Sequence, residues 1–442
     1  MNRIVLTENI EYTLDTADLD HISTFLEMSD QIKSNLGLRN QPIQLVDSKT
    51  VKANGIIGNI SLNEVNLLIL PKFKDSMNDM PLLTKEWIRR LYLRILRCSQ
   101  ENLSSTIYFT KNQIVDDDSI FIDVIAEYFI RILSNSLKKS HITTYEERIE
   151  KISAIRGKIL IQEQLSRPIT DSKTWCKYKK MSRDNIYNQL LGWTCHYLYN
   201  ATSNVLTKKK LRNLAKEFPD SSDFLTRKTV SDVKLPRNFN IYNDSIQLAK
   251  SLYLGNAKLR EKLSSDGNKI NGYVINMEKA FENIVRYYTR KASLSLRINH
   301  KAQSTTILAT NDRNQSLNYH VRPDDLILYK NKKLILDAKY KLVSEELDKS
   351  KKPKREDIYQ MISSCLAYNT WEAMLIYPEH EQEFDHVWEV NQEVNGNKIK
   401  IAAHSIDINK SDIDLIEAIS SIIKNTNFYS EVKNETELLI SV

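Results

Sequence analysis

Leu334-Ile335-Leu336-Asp337-Ala338-Lys339-Tyr340 is an aliphatic run that ends on a carboxylate and a lysine two residues apart. Upstream, Asp324-Asp325-Leu326-Ile327-Leu328-Tyr329 forms a second such run, entered through Arg322-Pro323. The polar stretch Asn331-Lys332-Lys333 separates the two, which is the pattern of a β-hairpin. A two-residue turn at Asn331 and Lys332 sets Lys330 opposite Lys333, Asp324 opposite Lys339 and Leu326 opposite Asp337. Side chains alternate faces along a strand, so Asp324, Asp337 and Lys339 then share one face. A three-residue turn brings Asp325 to that face instead, and both registers stay open.

Two carboxylates and a lysine at one end of a hairpin have a chemical use. Mg²⁺ prefers oxygen ligands, keeps several waters and takes one or two carboxylates from a protein. Bound there, it stabilises charge on a phosphate and makes water a better nucleophile. The lysine adds a donor for the charged transition state. Asp-x-Lys by itself is weak, because the chain has four, at Asp47, Asp171, Asp232 and Asp337. Only the fourth closes an aliphatic strand with Pro-Asp at hairpin distance. The competing reading is a salt bridge at a strand end, worth little.

Outward from the hairpin, Met277, Ala280, Phe281, Ile284, Val285 and Tyr288 recur at helical spacing, predicting an amphipathic helix from near Asn276. The chain downstream predicts a helix from about 357 to 369, a strand over Ala373-Met374-Leu375-Ile376-Tyr377, and a last helix capped by Ser411 with Asp414 three residues on. That order is an α/β layer domain, assigned to residues 271–442. Residues 77–270 read as mainly helical. Within them Ile155-Arg156-Gly157-Lys158-Ile159-Leu160 stands apart, and a helix start is expected at Ser182 to Asn188. Residues 1–76 read as a small β-rich module, with a helix near His21 to Leu36 and strands Gly55 to Ile60 and Val65 to Leu70 turning at Asn63-Glu64. The fold class is thus α+β, multidomain.

The bulk properties are compatible with this. The 442 residues carry a net charge of +7, which permits nucleic-acid binding without requiring it. The basic run Lys349, Lys351, Lys352, Lys354 and Arg355 follows the hairpin, where it is either an exposed loop or a set of phosphate contacts. Lys208-Lys209-Lys210-Leu211-Arg212 reads as a solvated helix face. Cys98, Cys176, Cys195 and Cys365 form no CxxC pair, which disfavours a zinc site or a disulfide framework and fits a reducing cytoplasm. Neither a signal peptide nor a membrane span is expected.

These residues, in this order, resemble the PD-(D/E)xK nuclease superfamily, and within it the McrC subunit of McrBC-type restriction systems. Leu334 to Tyr340 is similar to an (I/L)xDAKY motif. Ile358-Tyr359-Gln360 resembles the LYQ start of the next helix, and Met374-Leu375-Ile376-Tyr377-Pro378 an LLIYP strand. Ile155 to Ile159 resembles an IKGRI segment, and Asp184 to Asn188 an acidic helix start. Leu70-Pro71-Lys72 is similar to an L-P-K of longer McrC-like and LlaJI-type relatives. The resemblance implies that Asp337, with Asp324 or Asp325, holds Mg²⁺ (Mn²⁺ as a substitute), that Lys339 is the catalytic lysine, that Glu282 is the acidic residue of the first helix, and that Gln360 supports the site. It further implies DNA as substrate and a McrB-like AAA+ GTPase partner that binds the GTP, with Arg156 and Lys158 as candidate contacts to it. Ser364 stands where relatives often have tyrosine, leaving Tyr368 as the nearest. Two other functions remain: a non-cleaving activator of a motor, and a self-sufficient nuclease.

Overall fold

The computed structural model describes residues 2–15, 18–38, 40–62, 65–72, 85–100, 103–109, 120–165, 172–220, 223–262, 271–312, 318–341, 352–379, 384–394 and 396–440. The chain forms two compact units. One is discontinuous, residues 1–108 with 268–442; the other is residues 109–267.

The discontinuous unit contains a five-stranded sheet in the order Asn2–Thr7, Val65–Leu70, Ile56–Leu62, Asn271–Asn276, Ile107–Phe109. The first pair is parallel and the next two pairs are antiparallel. The expected N-terminal strands are present, and Leu62 pairs with Val65 across a two-residue connection whose residues, Asn63 and Glu64, lie outside the described set. The fourth strand comes from beyond residue 270, so the N-terminal strands share a sheet with the downstream segment. Two glycines permit this pairing. A Cβ on Gly58 would strike the Tyr273 carbonyl, and one on Gly272 would strike the Asn59 carbonyl, while Gly272 takes φ 122°. The Ile22–Leu36 helix packs Phe25, Met28 and Ile32 into the core of these N-terminal strands and ends on Gly37 in the left-handed region.

The same unit carries a six-stranded mixed sheet in the order Asn299–Ala302, Asp325–Tyr329, Lys332–Ala338, Glu372–Pro378, Asn397–Ile406, Asp385–Val394. The hairpin is real, but its turn is Lys330-Asn331, with Tyr329 opposite Lys332. Lys330 adopts φ 50° to make it. The expected turn at Asn331-Lys332 is therefore one residue too late. The Arg355–Tyr368 helix links the parallel strands Lys332–Ala338 and Glu372–Pro378, and packs Met361 and Cys365 against Ile335 and Leu375. The Met277–Ser295 helix starts directly from the five-stranded sheet, its first turn capped by the Asn276 side chain. The Asp412–Lys424 helix has the expected box between Ser411 and Asp414.

The 109–267 unit holds the helices Ile120–Leu137, Ile186–Ala201, Val205–Ala215 and Asn243–Lys262. Its expected helical character is incomplete, because Thr144–Ile152, Thr174–Ser182 and Lys158–Ile159 form a three-stranded antiparallel sheet. Among the described residues, no helix is long and apolar enough to cross a membrane.

Candidate active site

Extending the observed hairpin register by one pair sets Asp324 opposite Asp337. The one-residue shift of the turn moves each partner by two positions, so the faces are unchanged. Asp337 and Lys339 lie on the sheet face covered by the Arg355–Tyr368 helix, together with Ile335. Asp324, just ahead of its strand, accepts a hydrogen bond from the Ala338 amide at 2.9 Å. Lys339 Nζ forms an ion pair with Asp337 Oδ2 and donates to Gln360 Oε1 at 2.8 Å. Gln360 Nε2 in turn reaches Asp337 Oδ1 at 3.4 Å. The structure thus brings together Asp324, Asp337, Lys339 and Gln360.

Asp325 belongs to the other face. It is fully buried, its Oδ1 2.7 Å from His300 Nε2 and 3.6 Å from Arg286 Nε. Glu282 lies on the Met277–Ser295 helix and accepts from Arg286 at 2.6 Å, Lys279 at 2.5 Å and Gln303 at 2.9 Å. Arg286 Nη2 is also 3.9 Å from Asp324 Oδ1, so one guanidinium stands among three carboxylates. Lys352, Lys354 and Arg355 are exposed at the start of the helix that carries Gln360. Lys349 and Lys351 lie outside the described residues. Tyr368 is two turns beyond Gln360, in the apolar core, with its carbonyl bound by Lys333. In the other unit, Arg156 and Lys158 are exposed on either side of Gly157.

The electrostatics separate these groups. Burial, then repulsion from Asp337 and Glu282, pushes the Asp324 carboxyl up to about 8. Burial also raises Asp337, against the pull of Lys339. Burial would lower Lys339, but Asp337 outweighs it and keeps the ammonium charged. For Glu282, hydrogen bonds from Lys279 and Arg286 overcome burial and hold the carboxyl at about 2. Asp324 and Asp337 are therefore a carboxylate pair that resists double ionisation without a cation between them. Among the described residues, no three His, Cys, Asp or Glu side chains form a metal-holding group. The donor set is two carboxylates, which suits Mg²⁺, whose remaining ligands are water and substrate oxygens.

Sequence reasoning missed Arg286, His300, Gln303 and the pair Lys341–Asp357, 2.8 Å apart. Arg286 had a signal, its i,i+4 spacing from Glu282. His300 and Gln303 had none, because strand pairing alone brings them in. Asp357 also accepts from Tyr377 at 3.2 Å, which ties the helix start to the next strand.

Solved structures that resemble the chain include two from Thermococcus gammatolerans. In the refined half-complex from a tetradecameric assembly of Thermococcus gammatolerans McrB AAA+ hexamers with bound McrC, the match covers 95% of this chain and 100% of that one, at 16% identity and TM-score 0.58. In the cryo-EM structure of the Thermococcus gammatolerans McrBC complex it covers 68% and 90%, at 17% identity and TM-score 0.43. No curated protein matches the chain. The family model described as McrBC 5-methylcytosine restriction system component matches residues 51–378, well over half of the sequence. The chain therefore belongs to the McrBC restriction-component family.

Proposed function

We propose that this chain is the endonuclease subunit of a GTP-dependent restriction complex that defends a cell's cytoplasm against foreign DNA, and that it hydrolyses phosphodiester bonds with Mg²⁺. The observation that carries the reading is the convergence of Asp324, Asp337, Lys339 and Gln360 on one sheet face, which we read as a PD-(D/E)xK site. Asp324 and Asp337 would hold the cation, which supplies Lewis-acid charge to the scissile phosphate; Mn²⁺, also oxygen-ligated, would substitute. Lys339, charged and fixed by Gln360, donates to the attacking water or to a phosphate oxygen. Water adds to phosphorus, the bond to the leaving oxygen breaks, and that oxygen takes up a proton. Glu282 and Arg286 hold the Asp324 side of the site in place. Lys352, Lys354 and Arg355, with Lys349 and Lys351, would contact the DNA backbone without reading its sequence.

The partner assigned here is a McrB-like AAA+ GTPase, which binds the GTP and whose turnover this chain stimulates. The likeness to McrC seen with McrB hexamers supports that assignment. Arg156 and Lys158 are its candidate contacts.

The test is cleavage by the complex reconstituted with its partner. Asp337→Ala and Lys339→Ala should each reduce cleavage by about 100-fold or more while GTP turnover persists. Unchanged cleavage in both variants would refute the site. Partner GTP turnover without DNA cutting under any metal condition would identify an activator, and plasmid nicking by the chain alone a self-sufficient nuclease.

A further inference from the structure

We propose that Glu8, Lys72 and Tyr340 form a buried positioning cluster through which the N-terminal strands set the aim of Lys339. The inference rests on the nuclease reading above for its consequence, but not for its geometry.

Tyr340 follows Lys339 and turns to the opposite side of the sheet, where it is 6% exposed. Its hydroxyl donates to Glu8 Oε2 at 2.6 Å. The Lys72 ammonium stands over its ring, 4.1 Å from the centroid. Its remaining side meets Phe281, centroid to centroid at 5.8 Å, on the helix that also carries Glu282. One ring therefore touches the N-terminal strands and the helix of one candidate site residue, and is bonded along the chain to another.

The delivery of Glu8 and Lys72 follows from strand pairing. Asn2–Thr7 and Val65–Leu70 run parallel with Thr7 beside Leu70. The residues just beyond both strands reach the same place, and the Glu8 amide bonds the Leu70 carbonyl at 2.8 Å. Both side chains are buried, Glu8 at 0% and Lys72 at 4% exposure. Burial pushes Glu8 up to about 7 and pulls Lys72 down, partly offset by their mutual attraction. Among the described residues, Glu8 Oε1 and Lys72 Nζ have no hydrogen-bond partner. Glu278, on the Met277–Ser295 helix, adds a second negative charge near Lys72.

A cluster of this kind is a poor way to gain stability, since apolar side chains of similar size do as well or better. What it supplies is direction. The hydroxyl–carboxylate bond fixes the rotation of the ring, and the ammonium fixes the ring plane. Both constraints act one residue from Lys339, whose own amide bonds the Ile376 carbonyl at 2.8 Å. The contacts of Glu8, Lys72 and Tyr340 described above run to one another and to Phe281, so they act through Lys339 and are positioning residues.

The test uses the full chain with its partner, Mg²⁺ and plasmid DNA. The variants are Tyr340→Phe, Glu8→Gln, Lys72→Met and the Glu8→Gln/Lys72→Met double. Tyr340→Phe keeps the ring and removes only the hydroxyl. It should hold the melting temperature within about 3 °C. It should also leave KM unchanged and lower kcat about tenfold. Hydrogen exchange at the Lys339 and Lys341 amides should quicken by about tenfold, with the rest of the sheet unaffected. Each charge-removing single variant strands the other partner's charge and should lose more than the double, which keeps an acceptor for the Tyr340 hydroxyl but lacks the ammonium over the ring, and so should recover only part of kcat. Wild-type kcat and wild-type exchange in Tyr340→Phe and in both singles would overturn the proposal. If the wild-type complex cuts no DNA, the nuclease reading fails, and exchange alone decides the cluster: quickened exchange at the two amides supports it and unchanged exchange overturns it.

Discussion

Asp324 and Asp325 are neighbours with the same side chain and opposite circumstances. Strand alternation turns Asp324 towards Asp337, where burial and like charge push it up to about 8. It turns Asp325 onto His300 and Arg286: burial raises that carboxyl too, and these two partners offset part of the rise. Their substitutions should therefore separate. Asp324→Asn relieves repulsion, so urea unfolding should show unchanged or slightly higher stability, while cleavage by the reconstituted complex falls about 100-fold. Asp325→Ala leaves Arg286 short of a buried partner and should cost about 3 kcal/mol in the same unfolding measurement. The folded fraction of that variant should still cut DNA. Cleavage lost in Asp325→Ala at full stability would reverse the two roles. The doubled Asp is visible in the sequence, but its division of labour is not, because that depends on where the turn falls.

At the level of elements, the hairpin shows which errors matter. The turn sits at Lys330-Asn331 rather than one residue later, which changes the partner of Asp337 from Leu326 to Asp324. Faces survive because the displacement per strand is even; an odd shift would have exchanged Asp324 for Asp325. The helix containing Glu282 was legible from its apolar spacing. The ribbon Thr144–Ile152 with Thr174–Ser182 was not. Its strands carry charges in place of an apolar alternation, and it is held by backbone pairing together with Lys177–Glu147 at 2.7 Å and Tyr178–Glu150 at 2.7 Å. Gly272 illustrates an element that no propensity predicts. Its lack of a side chain lets Asn271–Asn276 lie against Ile56–Leu62. Gly272→Ala should destabilise the chain by about 2 kcal/mol or more, seen as a lower denaturation midpoint. An unchanged midpoint would mean that the strands tolerate separation.

For the whole molecule, the useful unit is not a stretch of sequence. Read linearly, residues 271–442 look like a complete nuclease domain. In the structure they share a compact unit with residues 1–108, through a common sheet and through Glu8 and Lys72 beneath Tyr340. Residues 271–442 expressed alone would leave Asn271–Asn276 without its partner strand and expose the apolar underside of the Met277–Ser295 helix. That fragment should show no cooperative urea transition by circular dichroism. A cooperative transition of the fragment would mean that the downstream segment folds independently.

The sequence by itself determined the local chemistry: an aliphatic hairpin closed by Asp337 and Lys339, a carboxylate pair upstream, a capped helix at Ser411 and an amphipathic helix carrying Glu282. Each of these follows from side-chain period and turn composition over a few residues. Only the tertiary structure decided that Asp324 rather than Asp325 faces Asp337, that Arg286 stands among the carboxylates, and that residues 8 and 72 support residue 340. The first turns on where a hairpin turn falls, and the others join positions far apart in the chain; all three arise from strand register and burial, which side-chain period alone does not fix.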